Sequence, residues 1–259
     1  MRGTWRLIID GPAAGAWNMA VDRAILDARE AGEAPPTLRI YRWRCPTVSL
    51  GRFQDASDVD LELCEARGVG VCRRPTGGRG VLHDDELTYS VVAGLADGLP
   101  KGVSASYRAL CGALVAAYRH LGVPAELTPR PRGTPGAGAC YLHATGADVS
   151  LGVAKLSGSA QVWNHDTCLQ HGSFILSRDT ELESAAFRLG EEGARALARG
   201  TRTLSDALGY TPTDDLVMQA IVRGFGDALG VSFERGGLIP SEHAMADVSA
   251  ASYDIRHGL

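Results

Sequence analysis

Lys155 is one of only two lysines in a chain that otherwise carries its basic charge on arginine, the other being Lys101. Arginine keeps its proton at any working pH, whereas lysine is a compact ammonium whose pKa moves with its surroundings. A lysine retained against such a bias is a candidate for proton chemistry. Fifteen residues before it stands Cys140. A free thiol titrates near pH ~8.5, and a neighbouring cation favours the nucleophilic thiolate; Lys155 could be that cation. Together the two side-chain types suit acyl transfer, in which sulfur takes the acyl group as a thioester and the amine manages the proton. The competing reading of Cys140 is an inert buried thiol, and that of Lys155 a solvated strand residue.

Two segments could form the binding site. The first is Arg73-Arg74-Pro75-Thr76-Gly77-Gly78-Arg79-Gly80-Val81-Leu82-His83-Asp84, and the second is Lys155-Leu156-Ser157-Gly158-Ser159-Ala160-Gln161. Gly77 and Gly78 let the backbone turn sharply and approach a slender ligand closely. An acyl chain with a thioester or carboxyl head needs an apolar slot with polar groups at its mouth. Alternation along a strand puts Arg73 and Arg74 on opposite faces, so one of them meets ligand or partner, or both only hold the turn. His83 and Asp84 either brace that turn or form a catalytic dyad. His171 packs in the core or lines the site, and Gln161 makes a structural hydrogen bond. Cys72 adjoins the arginine pair, but its place in an alternating strand assigns it to the core.

The elements that must position these groups follow from periodicity and punctuation. The N-terminal ten residues read as a strand, residues 18–31 as an amphipathic helix, 38–43 and 47–50 as short strands, and 59–67 as a short helix. Residues 68–74 and 86–93 read as a β-hairpin with the Gly-rich segment at its tip. A long helix over 104–121 is stopped by Gly122 and Pro124. Residues 129–139 hold three prolines and three glycines and read as a loop, with Cys140 at its far edge. Strands are expected over 148–151, 154–163 and 168–176, and helices over about residues 180–259, with Thr213 or a neighbour capping the clearest of them at 213–229. Strand-rich stretches with helices at the start, middle and end give an α+β class. No linker divides residues 1–259, so a single catalytic domain is expected.

Composition narrows the functional classes. A hydrophobic content of 45% supports a sizeable core, and a net charge of −4 does not mark a general nucleic-acid binder. No apolar run is long enough for a membrane span, and the N-terminal apolar stretch is too short for a signal peptide, so a cytoplasmic protein is expected. Six cysteines without a Cys-x-x-Cys pair, and scattered histidines, indicate no metal site.

The two segments, with Asn18-Met19-Ala20-Val21-Asp22, Ser49-Leu50-Gly51-Arg52-Phe53-Gln54 and Leu169-Gln170-His171-Gly172, resemble the biotin/lipoate protein ligase superfamily over roughly residues 5 to 176. The resemblance implies a mainly antiparallel mixed sheet flanked by helices. It also implies one of two reactions. Octanoyltransferases take an acyl group from acyl carrier protein, hold it on their own cysteine and pass it to a lysine of a lipoyl domain. That acceptor is a protein such as the glycine cleavage H protein or a 2-oxoacid dehydrogenase E2. Lipoate–protein ligases instead use ATP and Mg to make a lipoyl-adenylate. Cys140 lies where the cysteine-dependent transferases carry their nucleophile, and Gly77-Gly78-Arg79 has their form where ligases usually show three glycines. Many ligases also carry an extra C-terminal domain, for which this length leaves little room. The transferase is therefore the leading expectation, with no cofactor. The site expected from the resemblance comprises Cys140 and Lys155 as catalytic groups. Arg73, Arg74, Thr76, Gly77, Gly78, Arg79, His83, Gly158, Ser159, Ala160 and His171 are expected around the acyl chain. The ligase and a non-catalytic binder of lipoyl domains or acyl carrier protein remain alternatives. A monomer is expected, with Arg73, Arg74, Arg79, Arg130 and Arg132 forming a positive docking surface for acidic partners.

Overall fold

A computed structural model describes residues 3–128, 132–133, 139–144 and 147–255, with the backbone only at 132–133 and 142–144. The central element is a six-stranded sheet. It is built from β1 (Thr4–Ala13), β2 (Thr37–Trp43), β6 (Glu86–Gly94), β12 (Ser159–Asn164), β13 (Thr167–Ile175) and β14 (Ser232–Arg235), in the order β12-β13-β6-β2-β1-β14. The pairs β12–β13, β13–β6 and β6–β2 are antiparallel, and β1 is parallel to both β2 and β14. The order explains the mixed α+β class: β1 reaches β2 through a helical crossover, whereas β12 and β13 form a local hairpin.

Because side chains alternate across a strand, each strand of this sheet serves two surfaces. Leu38 and Ile40 of β2, Leu87, Tyr89 and Val91 of β6, and Phe174 of β13 pack with helices α3 (Val103–His120) and α7 (Asp214–Leu229) in the largest apolar cluster. The intervening residues face the other way. There Ile8, Val92 and Leu169 pack with Ala20, Val21, Ala24 and Ile25 of α1 (Gly15–Glu30) and with Ala246 of α8 (Pro240–Tyr253). Buried ion pairs lock this second layer. Arg6 of β1 binds Glu242 of α8 at 2.5 Å, and Arg39 of β2 binds Asp22 of α1 at 2.8 Å. Thr213 caps α7 as expected, accepting from the Leu216 N–H at 3.4 Å.

Three small sheets complete the strands. In one, β3 (Thr47–Leu50) lies between β4 (Gly70–Arg73) and β5 (Val81–His83), parallel to the first and antiparallel to the second. This corrects the expected hairpin. Residues 68–74 do not pair with 86–93; β3 is inserted between the two arms of the Gly-rich segment, and β6 leaves for the main sheet. Adjacency along the chain concealed that insertion. The next sheet orders β11 (Ala154–Ser157), β10 (Val149–Leu151) and β7 (Glu126–Leu127), and the last pairs β8 (Arg132–Gly133) with β9 (His143–Ala144). A second correction concerns residues 154–163, expected as one strand. The chain breaks at Gly158, sending β11 to the small sheet and β12 to the edge of the main sheet. Short helices α2 (Leu61–Ala66), α4 (Thr180–Ala186), α5 (Gly190–Gly200) and α6 (Leu204–Leu208) fill the periphery. Among the described residues, no helix is long and apolar enough to cross a membrane.

Candidate active site

The face of the main sheet away from α3 and α7 is polar where it leaves α1. Tyr41, Thr88 and Ser173 lie side by side across β2, β6 and β13, and Arg39, Ser90 and His171 form the next such row. The β4-β3-β5 sheet closes over this face. Between them lies a small, partly open cavity of about 60 Å³. Its floor carries Tyr41, Trp43, Thr88, His171 and Ser173; its roof carries Ser49, Arg74, Gly78, Val81 and His83. Cys140 and Gly158, Ser159 and Ala160 complete the wall.

Cys140 opens a short 3₁₀ turn, Cys140–Leu142, and its N–H donates to the Gly80 carbonyl at 2.7 Å. The Gly-rich segment therefore anchors the backbone of the thiol. The Lys155 ammonium reaches Cys140 Sγ at 3.7 Å and pairs with Asp148 Oδ2 at 2.9 Å. Burial pulls the Lys155 pKa down, but the Cys140 sulfur and the Asp148 carboxylate outweigh it, and the net shift is upward. Tyr107 of α3 donates to Asp148 Oδ1 at 2.6 Å. Gly158 makes the contact possible. A Cβ there would lie 3.1 Å from Lys155 Cε, 3.2 Å from Nζ and 3.4 Å from Cys140 Sγ. The break between β11 and β12 is thus the point where backbone, ammonium and sulfur meet.

Deeper in the cavity are two imidazoles, each held between a carboxylate and a hydroxyl. His83 Nδ1 lies 2.8 Å from Glu86 Oε1 and its Nε2 lies 2.7 Å from Ser49 Oγ, with the ring stacked on Trp43 at 4.0 Å. Glu86 also accepts from Thr88 and Ser173 at 2.6 and 2.7 Å. Burial opposes its charge, yet His83 and these hydroxyls hold its carboxyl below the usual range. His171 Nδ1 lies 3.0 Å from Asp22 Oδ2 and Nε2 lies 2.8 Å from Thr76 Oγ1. Burial pushes the His171 pKa down. Asp22 stays below its ordinary value despite burial because His171 and Arg39 both bond it.

The structure divides the residues singled out in the sequence. Cys140, Arg74, Gly78, His83, Gly158, Ser159, Ala160 and His171 line the cavity, and Lys155 contacts Cys140 from behind the wall. Arg73, Thr76, Gly77 and Arg79 are not in the cavity wall. Arg73 Nη1 instead donates to the carbonyls of Gly51 and Gln54 at 2.9 and 2.7 Å, pinning the loop after β3. Arg74 is buried and donates to the carbonyls of Ser49, Gly77 and Arg79 at 2.8 to 2.9 Å. Arg74 is therefore withdrawn from the expected docking surface, whereas Arg73 and Arg79 are partly exposed. Arg130 lies outside the described residues, as does the Arg132 side chain. The carboxylate partner of His83 is Glu86 rather than Asp84. Cys72 is a core thiol, pushed up to about 12 by burial, and Gln161 bonds Gln170 at 3.1 Å.

Asp148, Tyr107 and Glu86 do not stand out in the sequence, and Asp22 does so only as the last residue of the 18–22 motif. Asp148 and Lys155 flank the tight β10–β11 turn, so hairpin pairing of residues 148–157 was the available signal. The others converge from remote elements. Among the described residues, no cluster of three or more His, Cys, Asp and Glu could hold a metal ion.

Residues 14–226 match the lipoyl protein ligase A/B catalytic domain family. The chain is 41% identical to the octanoyltransferase LipM of Kyrpidia tusciae, with 96% of each chain covered. It is 40% identical to that of Symbiobacterium thermophilum, covering 95% of this chain and 94% of the relative. Among solved structures, a lipoate-protein ligase A bound with ATP superposes with a TM-score of 0.80 at 25% identity, covering 95% of this chain and 94% of the other. A bipartite lipoate protein ligase from Thermoplasma acidophilum superposes with a TM-score of 0.78 at 25% identity, covering 95% and 92%.

Proposed function

Since the chain belongs to the lipoyl protein ligase A/B catalytic domain family and is an octanoyltransferase, we propose that it carries the octanoyl group on Cys140, from acyl carrier protein to a lysine of a lipoyl domain. The observation that carries this reading is the Cys140–Lys155 contact, 3.7 Å long, with Cys140 in the wall of the cavity. The donor thioester enters with its chain in the cavity. Cys140 thiolate, stabilised by the Lys155 ammonium, attacks the carbonyl carbon. The donor thiolate leaves and takes the Lys155 proton, departing as a free thiol. Cys140 now holds the acyl group and Lys155 is neutral.

In the second half-reaction the neutral amine of the acceptor lysine attacks the Cys140 thioester. Lys155 takes the proton released at nitrogen, the C–S bond breaks, and the thiolate–ammonium pair is restored. Exchange between thioesters is nearly isoenergetic and amide formation runs downhill, so no nucleotide and no cofactor are required. Gly158 lies beside the sulfur and supplies a backbone N–H. Its bond to Tyr141 Oη is long at 3.4 Å, which leaves it available to a developing oxyanion. The acceptor is a lipoyl-domain protein such as the glycine cleavage H protein or a 2-oxoacid dehydrogenase E2.

The test is octanoyl transfer from octanoyl–acyl carrier protein to a purified lipoyl domain without ATP, followed by mass spectrometry of the acceptor. Wild type should label the acceptor lysine, and Cys140→Ser should not. Labelling that requires ATP and a free acid would replace this reading with the ligase.

A further inference from the structure

We infer that Asp148, held in place by Tyr107, is the positioning residue that makes Lys155 the base of the second half-reaction. The inference rests on the cysteine-transfer reading above. Both carboxylate oxygens are committed: Oδ2 to Lys155 Nζ at 2.9 Å and Oδ1 to the Tyr107 hydroxyl at 2.6 Å. The carboxylate and ammonium are nearly closed to solvent, with side chains 3% and 5% exposed. The backbone carbonyl of Asp148 is fixed as well, accepting from the Thr128 N–H at 2.7 Å. Tyr107 Oη also stands 3.1 Å from the Ser159 carbonyl, which ties this array to the cavity wall.

The charges explain why such a carboxylate is needed. In the resting enzyme the buried ammonium faces the Cys140 sulfur and the Asp148 carboxylate. Acylation ties up the sulfur as a neutral thioester and so removes the largest influence that raises the Lys155 pKa, which lets the departing donor thiolate take its proton. A buried carboxylate is then left against a neutral amine, an arrangement that burial penalises. The penalty is relieved when Lys155 takes a proton from the attacking acceptor amine. Asp148 therefore strengthens Lys155 as a base at the stage where a base is required. Tyr107 holds the carboxylate in place against the amine through its bond to Oδ1.

Other titratable groups near the array are Tyr141, whose ring centre lies 5.3 Å from Lys155 Nζ and 3.8 Å from Arg178 Cζ, and Cys111, close to Tyr107 and Asp148. Burial raises the pKa of the Tyr141 phenol well above its ordinary value and that of the Cys111 thiol to about 12, so both stay neutral through the working range.

The experiment separates the half-reactions by intact mass: acylation of Cys140 by octanoyl–acyl carrier protein, and discharge of the isolated acyl-enzyme to a lipoyl domain, across pH. D148N should acylate within about threefold of wild type, while discharge slows on the order of a hundredfold, as for loss of an effective general base. The pH midpoint of discharge should move down, because Lys155 loses a partner that raises its pKa. Y107F, which preserves the ring and the carboxylate, should slow discharge selectively by about tenfold. Equal slowing of both halves, or an unmoved pH midpoint in D148N, would assign Asp148 a merely structural role and overturn the inference. If D148N fails to fold, Y107F decides by the same selectivity. Absence of any wild-type acyl-enzyme would remove the cysteine-transfer reading and this inference with it.

Discussion

Replacing Gly158 by alanine perturbs the dyad with a single methyl group. The glycine is not in the left-handed region, so alanine adopts its backbone without strain. The new Cβ would lie 3.1 Å from Lys155 Cε, 3.2 Å from Nζ and 3.4 Å from Cys140 Sγ. Comfortable carbon contacts begin near ~3.5 Å, so the lysine end must withdraw by roughly 0.3–0.5 Å. A misplacement of about 1 Å at a reacting group costs on the order of a hundredfold. Half that displacement therefore predicts roughly tenfold slower acylation, or about 1.4 kcal/mol. Stability should change little, because the crowded atoms are the far end of a flexible side chain and a thiol. Gly172→Ala is the contrast: its Cβ would meet the Gly158 carbonyl oxygen at 2.6 Å, so backbone must move and the fold should suffer. The assay is the rate of acyl-enzyme formation by intact mass, paired with thermal unfolding. Wild-type acylation in G158A would refute the proposed Cys140–Lys155 coupling at this backbone break, and so would a large loss of stability without a rate effect.

Lys155→Arg should lose on the order of a hundredfold in turnover although it keeps the charge, because arginine cannot pass on its proton; near wild-type turnover would show that charge alone suffices. Cys72→Ala should leave acylation intact, since burial holds that thiol protonated with a pKa of about 12, and loss of the adduct in this variant would move the nucleophile. Arg74→Met should lower stability by about 3 kcal/mol or more, because several carbonyls lose a buried donor; chemical denaturation measures it, and an unchanged midpoint would refute the bracing role. Acid should destabilise the fold in two stages. His171, whose pKa is lowered in the fold, costs stability as pH falls below the unfolded value near ~6.5. Asp22 and Glu86, with carboxyl pKa values lowered in the fold, contribute stability above roughly pH 4 that is lost as pH falls through their folded values. A melting temperature that is flat or rises from pH 7 to about 4 would contradict this assignment.

Much of the fold was legible because its signals are local. The helices at 15–30, 103–120 and 214–229 carry apolar faces and clear stops, and their bounds lie within a few residues of those expected from periodicity. Strand pairing was less legible. Nothing local shows that β3 enters between β4 and β5, or that the chain changes sheets at Gly158, since these choices are set by tertiary packing. The same distinction holds at the candidate site. Cys140 and Lys155 stand out by residue type, and Gly158 by its segment. Asp22, Glu86 and Tyr107 are ordinary residues of a helix, a strand and a helix until folding brings them to a cavity. Arg73 and Arg74 illustrate the reverse. Their charge suggested ligand or partner contacts, whereas most of their donors serve neighbouring backbone carbonyls.

The most direct test of the central claim is the intact mass of the protein after mixing with octanoyl–acyl carrier protein in the absence of ATP. A covalent thioester intermediate predicts a single increment of ~126 Da, one octanoyl group, released by hydroxylamine and absent from Cys140→Ala. An unmodified protein that still octanoylates a lipoyl domain under these conditions would contradict transfer through Cys140.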